Sequence, residues 1–193
     1  MSINQSKIFH PFKSHLELES GKIGSNANCW DRKLSEMTEI YDQENINNQL
    51  DISGNTIVYR VYEHELPYEK GHLIPVTTIL YPGRVGNQFF MTKGHYHENR
   101  GTAEVYLILN GEGVLTMQTE DGQHQEIEFS TEDLLYIPPF WAHRMVNTSI
   151  SDPLIFYGIY PADAGHDYQT IVETGFKKKV IYNPDTKRNF SII

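Results

Sequence analysis

Two histidines separated by one residue, His95 and His97 in GHYH, are the first place in this chain where residue type and spacing could do chemistry. On an extended segment, side chains at i and i+2 leave the same face, so the pair presents two imidazoles side by side. Beyond Asn99, Arg100 and Gly101 comes the run TAEVYLIL, which carries Glu104 on the face it shares with Thr102, Tyr106 and Ile108. A carboxylate on that face of an apolar strand is costly to bury unless it is paired, hydrogen-bonded or bound to metal. Tyr106, two residues along the same face, either orients the carboxylate or fills the interior. The third histidine, His143, lies far away in PPFWAHRMVN. That separation is no obstacle in an antiparallel barrel, where distant segments return to the same end. Three imidazoles and one carboxylate offer a divalent ion three nitrogens and one oxygen. Coordination positions are left over for water or substrate, and the set suits Fe, Mn, Ni, Co or Zn. His-x-His alone occurs on many strands that hold no metal. The added glutamate and the histidine behind a proline turn are what make this a ligand set.

The elements that must position these residues begin near Asn55. From there the sequence is a series of brief runs rich in Val, Ile, Thr, Tyr and Phe, broken by Gly, Asn, Asp and Pro. The patterns predict strands over 56–63, 73–81, 88–93, 102–109, 113–119, 124–129, 133–137, 143–148, 154–160 and 178–183. Asn110-Gly111 and Asp121-Gly122 are dipeptides that tolerate positive φ, and they predict tight turns between antiparallel neighbours. Pro138-Pro139 must sit in a loop or on an edge. Leu34, Met37, Ile40 and Tyr41 are spaced for one face of a short helix, and a helical turn over 167–174 would end at Gly175. Many short strands and few helices point to an all-β sandwich or barrel. With no repeat and no linker, residues 1–193 read as a single domain.

Composition narrows the partners. The 193 residues are 39% hydrophobic and 12% aromatic, with no run approaching the ~18 apolar residues of a membrane span. A membrane partner is not expected. Against 16 basic side chains stand 25 acidic ones, a formal charge of −9 and the wrong sign for a footprint on nucleic acid. An anionic ligand would need local donors in place of global steering. Cys29 is the only cysteine, so neither an intrachain disulfide nor a thiolate cage is possible. The opening MSINQSKIFHPFKSHLELES lacks the apolar core of a signal peptide, and the expected location is cytoplasmic.

His95, His97, Glu104, Gly111, Pro138, His143 and Asn147 together resemble the cupin pattern. Two departures stand out: a longer spacing between His97 and Glu104 than generic cupins have, and Phe140 where a glycine is usual. They resemble one branch, the phosphoglucose isomerases with a cupin fold. That branch has blocks similar to TTILYPGRVGNQFFMTKGHYH, AEVYLILNGEG, IPPFWAHRMVN and IYPADAGHDYQTI. The resemblance covers roughly Tyr59 to Phe176 and implies a double-stranded β-helix (jelly-roll) barrel with short flanking helices. Residues 1–50 would then be an extension packing on the barrel.

It implies an isomerase of glycolysis and gluconeogenesis that interconverts glucose 6-phosphate and fructose 6-phosphate, and a homodimer. It also implies one divalent ion on His95, His97, Glu104 and His143, with Glu104 as the base of a cis-enediol route. A metal-assisted hydride shift is the rival route. Tyr59, Thr78, Thr92, Gly94, Tyr160 and Tyr168 carry over as the sugar-phosphate pocket, and His166 as an acid or base for ring opening. Lys93 alternates to the other face of the Thr92 strand and reads equally as a solvated charge. His10, His15, His64, His72 and His124 read as surface or loop residues. Another cupin enzyme, a dioxygenase or decarboxylase, would use the same four ligands with a different pocket. A sugar-sensing cupin usually accompanies a DNA-binding domain, for which this chain shows no helix-turn-helix.

Overall fold

The computed structural model describes residues 9–24, 27–48 and 55–193. The opening eight residues, on which the reading of the amino terminus partly rests, lie outside them. Among the described residues, thirteen strands run in chain order: β1 (Ala27–Lys33), β2 (Ile57–His64), β3 (Leu73–Leu80), β4 (Arg84–Val85), β5 (Gln88–Phe89), β6 (Glu104–Asn110) and β7 (Glu112–Thr119). They continue with β8 (His124–Ser130), β9 (Leu134–Ile137), β10 (Trp141–Asn147), β11 (Leu154–Pro161), β12 (Val180–Tyr182) and β13 (Phe190–Ile192). The helices are α1 (Gln43–Asn48) and α2 (Gln169–Thr174). One sheet orders its strands β1-β2-β3-β11-β6-β9, a second β10-β7-β8 and a third β13-β12-β5-β4. The architecture is all-β, with short flanking helices, as the strand patterns indicate.

Period-2 alternation decides which side chains enter the interior. Along β6, Glu104, Tyr106 and Ile108 are buried while Leu107 is exposed, so the face assignment made from the sequence holds. Val58, Ile74, Leu80, Ile108, Val114, Leu115, Met145 and Leu154 form the centre of the core. Asn147 closes the end of β10, its buried amide donating to the carbonyls of Leu80 (3.0 Å) and Asp152 (2.9 Å).

Several expectations need correction. Asp121-Gly122 does join the hairpin of β7 and β8, but Asn110-Gly111 joins β6 and β7, which lie in different sheets. It is a corner at which the chain changes sheet. Gly111 has φ of +98°, and a Cβ there would stand 3.0 Å from the Leu154 Cα and the Pro153 carbonyl oxygen. The corner needs glycine for close backbone approach rather than for a hairpin. The strand expected over 88–93 is only Gln88–Phe89; beyond it, isolated bridges from Met91 to Val146 and from His95 to His143 tie the chain to β10. The helix expected around Leu34 is two 3₁₀ turns, Leu34–Glu36 and Thr38–Ile40. The apolar face was right, since Leu34, Met37 and Tyr41 are buried, but Met37 at φ −134° breaks the helical path.

Strand β1 had no readable signal. Its residues ANCWDRK are mostly polar, and it is extended because β2 offers an edge, with Arg60 and Asp31 pairing across the two (2.6 Å). The helical turn before Gly175 is present as α2, with Gly175 at φ +68°. Pro138 and Pro139 lie in the loop from β9 to β10. The next residue, Phe140, has φ of +72°, the left-handed conformation that explains why a glycine is usual at this position. His64 is buried against Phe12 (5.3 Å between ring centroids) rather than exposed.

Candidate functional site

The four residues singled out for metal binding converge. One ligand atom from each of His95, His97, Glu104 and His143 lies within 4.8 Å of every other. They come from three pieces of backbone: the bridged segment at 95–97, the first residue of β6, and the middle of β10. Glu104 Oε2 is 3.0 Å from His143 Nε2 and 3.4 Å from His97 Nε2. Glu104, His97 and His143 are all buried.

The electrostatics favour a cation. Burial alone would raise the carboxyl pKa of Glu104, but the adjoining His143 and His97 side chains bring it down to about 2, so the group is ionised. Burial, reinforced by His143, His166 and His97, pushes His95 well below the ordinary imidazole range and keeps it neutral. Neutral imidazoles and an ionised carboxylate are the protonation states that bind a divalent ion. His95 Nε2 is buried without a hydrogen-bond partner, and His143 Nε2 faces the Glu104 carboxylate at 3.0 Å. A buried nitrogen without a partner beside an ionised carboxylate fits an ion.

His97 is oriented from behind. Its Nδ1 lies 2.8 Å from Thr102 Oγ1 and 3.2 Å from the Thr102 carbonyl, which can only accept, so Nδ1 carries the proton and Nε2 faces the cluster. Thr102 Oγ1 spends its own proton on the Asn99 carbonyl (2.7 Å). Arg100 adds a second brace, donating to the His97 carbonyl and pairing with Asp167 at 2.6 Å. Asp167 sits between His166 and Tyr168, so this ion pair holds both against the site. The His166 ring is 4.5 Å from that of His95 and stacks on Tyr168 at 5.8 Å. Burial lowers the His166 pKa, opposed by the Glu104 carboxylate.

A cavity of about 280 Å³ opens beside the cluster. Every residue carried over for the substrate pocket lines it: Tyr59, Thr78, Thr92, Gly94, Tyr106, Tyr160, Tyr168 and His166, together with His95, Glu104 and His143. His97 stands behind them and is not part of the wall. Thr92 Oγ1 accepts the Met145 N–H (3.1 Å), which leaves its hydroxyl proton free to donate. Gly94 has φ of +75°, and a Cβ there would meet the Phe176 ring at 2.7 Å and Arg144 Nε at 3.0 Å, so the backbone approaches the pocket only as glycine. Tyr106, fully buried, has its phenol pKa raised by burial and then by Glu104. Tyr160 lines the pocket, but its hydroxyl is committed to Glu63 (2.7 Å).

Among the polar lining residues, Arg32, Glu63 and Tyr68 escaped the sequence reading, and Lys93 was left open by it. Arg32 comes from the unforeseen β1, opposite Tyr59 in register, and its Nε is buried without a partner. Lys93 reaches the pocket and pairs with Glu39 (2.7 Å), so it is not a solvated charge. Glu63 and Tyr68 complete the set. Alternation along β2 could have flagged Glu63, since it shares a face with Tyr59 and Val61.

A family model described as glucose-6-phosphate isomerase matches residues 31–191. A glucose-6-phosphate isomerase of Thermococcus litoralis is 46% identical over 175 residues, covering 91% of each chain. One of Pyrococcus abyssi is 49% identical over 150 residues, 78% of this chain and 79% of that one. A putative glucose-6-phosphate isomerase 2 of Rhizobium meliloti is 30% identical over 175 residues, 90% of this chain and 87% of its own length.

The hydrogen bond between Thr102 and His97 yields a prediction. Removing the hydroxyl acceptor behind a metal-bound imidazole typically costs 10- to 100-fold in metal affinity. Thr102→Val should show that loss in a competitive titration with a chromogenic chelator, while the fold, followed by circular dichroism, is retained. Wild-type affinity in this variant would remove Thr102 from the site's support.

Proposed function

The chain belongs to the glucose-6-phosphate isomerase family, and from that premise we propose how its residues interconvert glucose 6-phosphate and fructose 6-phosphate in glycolysis and gluconeogenesis. The carrying observation is the convergence of His95, His97, Glu104 and His143 on one point beside a cavity of sugar-phosphate size. When bound to these four, a divalent ion (Fe, Mn, Ni, Co or Zn) supplies Lewis acidity at the oxygens on C1 and C2 of the sugar.

The remaining work belongs to side chains. His166, close to His95 and Tyr160, moves a proton from the C1 hydroxyl to the ring oxygen and so opens the ring. Glu104, ionised at any working pH, accepts the proton from C2 and returns it to C1, while a hydroxyl proton passes from O2 to O1. Tyr106, neutral because its pKa is raised, keeps its hydroxyl proton beside Glu104 and orients the carboxylate. Arg32, Tyr59, Thr78, Thr92 and the Gly94 N–H form the end of the pocket that takes the phosphate, with Tyr168 closing it. A dioxygenase or decarboxylase would use the four ligands but has no need of a basic end sized for a phosphate.

The assay is fructose 6-phosphate formation. Turnover should disappear on chelation and return when a divalent ion is added back, and undiminished turnover in protein shown metal-free by elemental analysis would sink the mechanism. The route of the hydrogen is tested separately. Turnover in D2O should place solvent deuterium at least partly in the product, and Glu104→Gln should cut kcat by about 10²- to 10⁴-fold, with metal content measured alongside. Full retention of the sugar's own hydrogen at low conversion would point to a hydride shift instead.

We further read the chain as one cupin domain in which β1, at 27–33, is an edge strand of the large sheet rather than part of an extension packed on it, working in the cytoplasm as a homodimer. No helix among the described residues is long and apolar enough to cross a membrane. The homodimer is supported by the outer face of the large sheet, where Leu73, Leu107, Leu134 and Tyr136 are 59%, 38%, 66% and 57% exposed. Leu107 pairs with Leu134 and Val105 with Tyr136, so the apolar surface is continuous across β6 and β9. Leu134→Glu combined with Tyr136→Glu should convert a dimer to a monomer in light scattering, and an unchanged mass would place the interface elsewhere.

A further inference from the structure

The pocket has two chemically different ends, and the second has no counterpart in the reaction described so far. Tyr59 and Glu63 lie on the same face of β2, four residues apart, which sets them roughly 13 Å from each other along the strand. At the Tyr59 end stands Arg32. At the Glu63 end, the carboxylate accepts a hydrogen bond from Tyr160 on one oxygen (2.7 Å) and from Tyr68 on the other. Glu63 is 9% exposed, and the ion pairs among the described residues do not include it. Among the described residues it is held by two phenols, Tyr68 and Tyr160, and each carboxylate oxygen keeps a further lone pair.

A buried carboxylate without a cation is costly unless further donors reach it. It faces the cavity that also holds the metal cluster, so donors brought by a ligand would reach it there. The register ties this end to the reacting centre. Glu63 is opposite Val76, Val76 opposite Gly158, and Gly158 opposite Tyr106, two residues from Glu104. Tyr160 packs its ring against His166 at 5.4 Å.

We propose that Glu63, held by Tyr68 and Tyr160, is the hydroxyl-binding end of the pocket and fixes the direction in which a sugar phosphate lies across the metal centre. Its lone pairs accept hydroxyls at the unphosphorylated end of the substrate. Its charge repels the phosphate, which is left to the Arg32 end. The substrate therefore enters in one orientation, with C1 and C2 beside Glu104. This assignment rests on the isomerase reading and adds to it a residue that selects orientation.

The test uses the metal-loaded protein and two probes, fructose 6-phosphate and inorganic phosphate. Glu63→Gln keeps the shape and removes the charge. A hydrogen bond to a charged group is worth about 1.5–3 kcal/mol, so kcat/KM for fructose 6-phosphate should fall about 10- to 150-fold. Inorganic phosphate should inhibit as well as before or better, because the repelling charge is gone. Arg32→Met should weaken both ligands. Tyr68→Phe alters an exposed ring and removes only one hydrogen bond, so it keeps the test valid should Glu63→Gln fold poorly; about a 2- to 10-fold loss in the same direction is expected.

Wild-type kinetics in both Glu63→Gln and Tyr68→Phe, in protein that isomerises normally before mutation, would overturn the assignment alone. A parallel loss of phosphate and fructose 6-phosphate affinity in Glu63→Gln would also overturn it, by placing the phosphate at Glu63. A parent protein that takes up phosphate but neither binds nor isomerises fructose 6-phosphate would overturn the isomerase reading together with this one.

Discussion

Glu104 carries a negative charge into a part of the barrel from which water is largely excluded, and the surrounding structure is arranged around that charge. The carboxylate stays ionised because His97 and His143 stand within hydrogen-bonding range of it. A divalent ion held by Glu104 and the three histidines would cancel that charge. The buried, partnerless Nε2 of His95 is the other face of this balance between charge and burial.

Bringing the four together requires both sheets. Glu104 starts β6 in the large sheet, His143 lies in β10 of the small one, and His95 and His97 come from an irregular segment bridged to β10. Such a segment needs bracing, and two arginines, one of them buried, supply it. Arg144, next to His143 but turned to the opposite face, donates to the Lys93 carbonyl at 2.7 Å and packs its guanidinium over Phe176 at 4.4 Å. Arg100 does the same on the far side, over the Tyr96 ring and against Asp167. The candidate ligands are thus held by polar clamps where the chain keeps only isolated bridges in place of a continuous ladder.

In the proposed reading, the pocket divides recognition from reaction along one strand. Tyr59 and Glu63 mark its ends on β2, while the reacting groups enter from β6, β10 and the segment at 95–97. A sugar phosphate is anionic at one end and hydroxylated at the other, so a pocket with a guanidinium at one end and a carboxylate at the other matches it in polarity. The net charge of the chain plays no part in this; the sorting is local.

The sequence by itself determined the β class, the interior faces of the main strands and the candidate ligand set. All three follow from period-2 alternation and from residue chemistry that survives any arrangement of the strands. The side chains carried over for the pocket also proved to line it, because motif blocks fix both type and position. Tertiary structure alone decided that β1 exists, since a polar edge strand is extended only because β2 offers it hydrogen bonds. It decided, too, that Asn110-Gly111 turns a corner between sheets, because turn residues report a local conformation and not which strands become neighbours. The same holds for Arg32 and Glu63. A charge on a strand looks solvated until the fold shows what faces it, and only the closed barrel sets these two at opposite ends of one cavity.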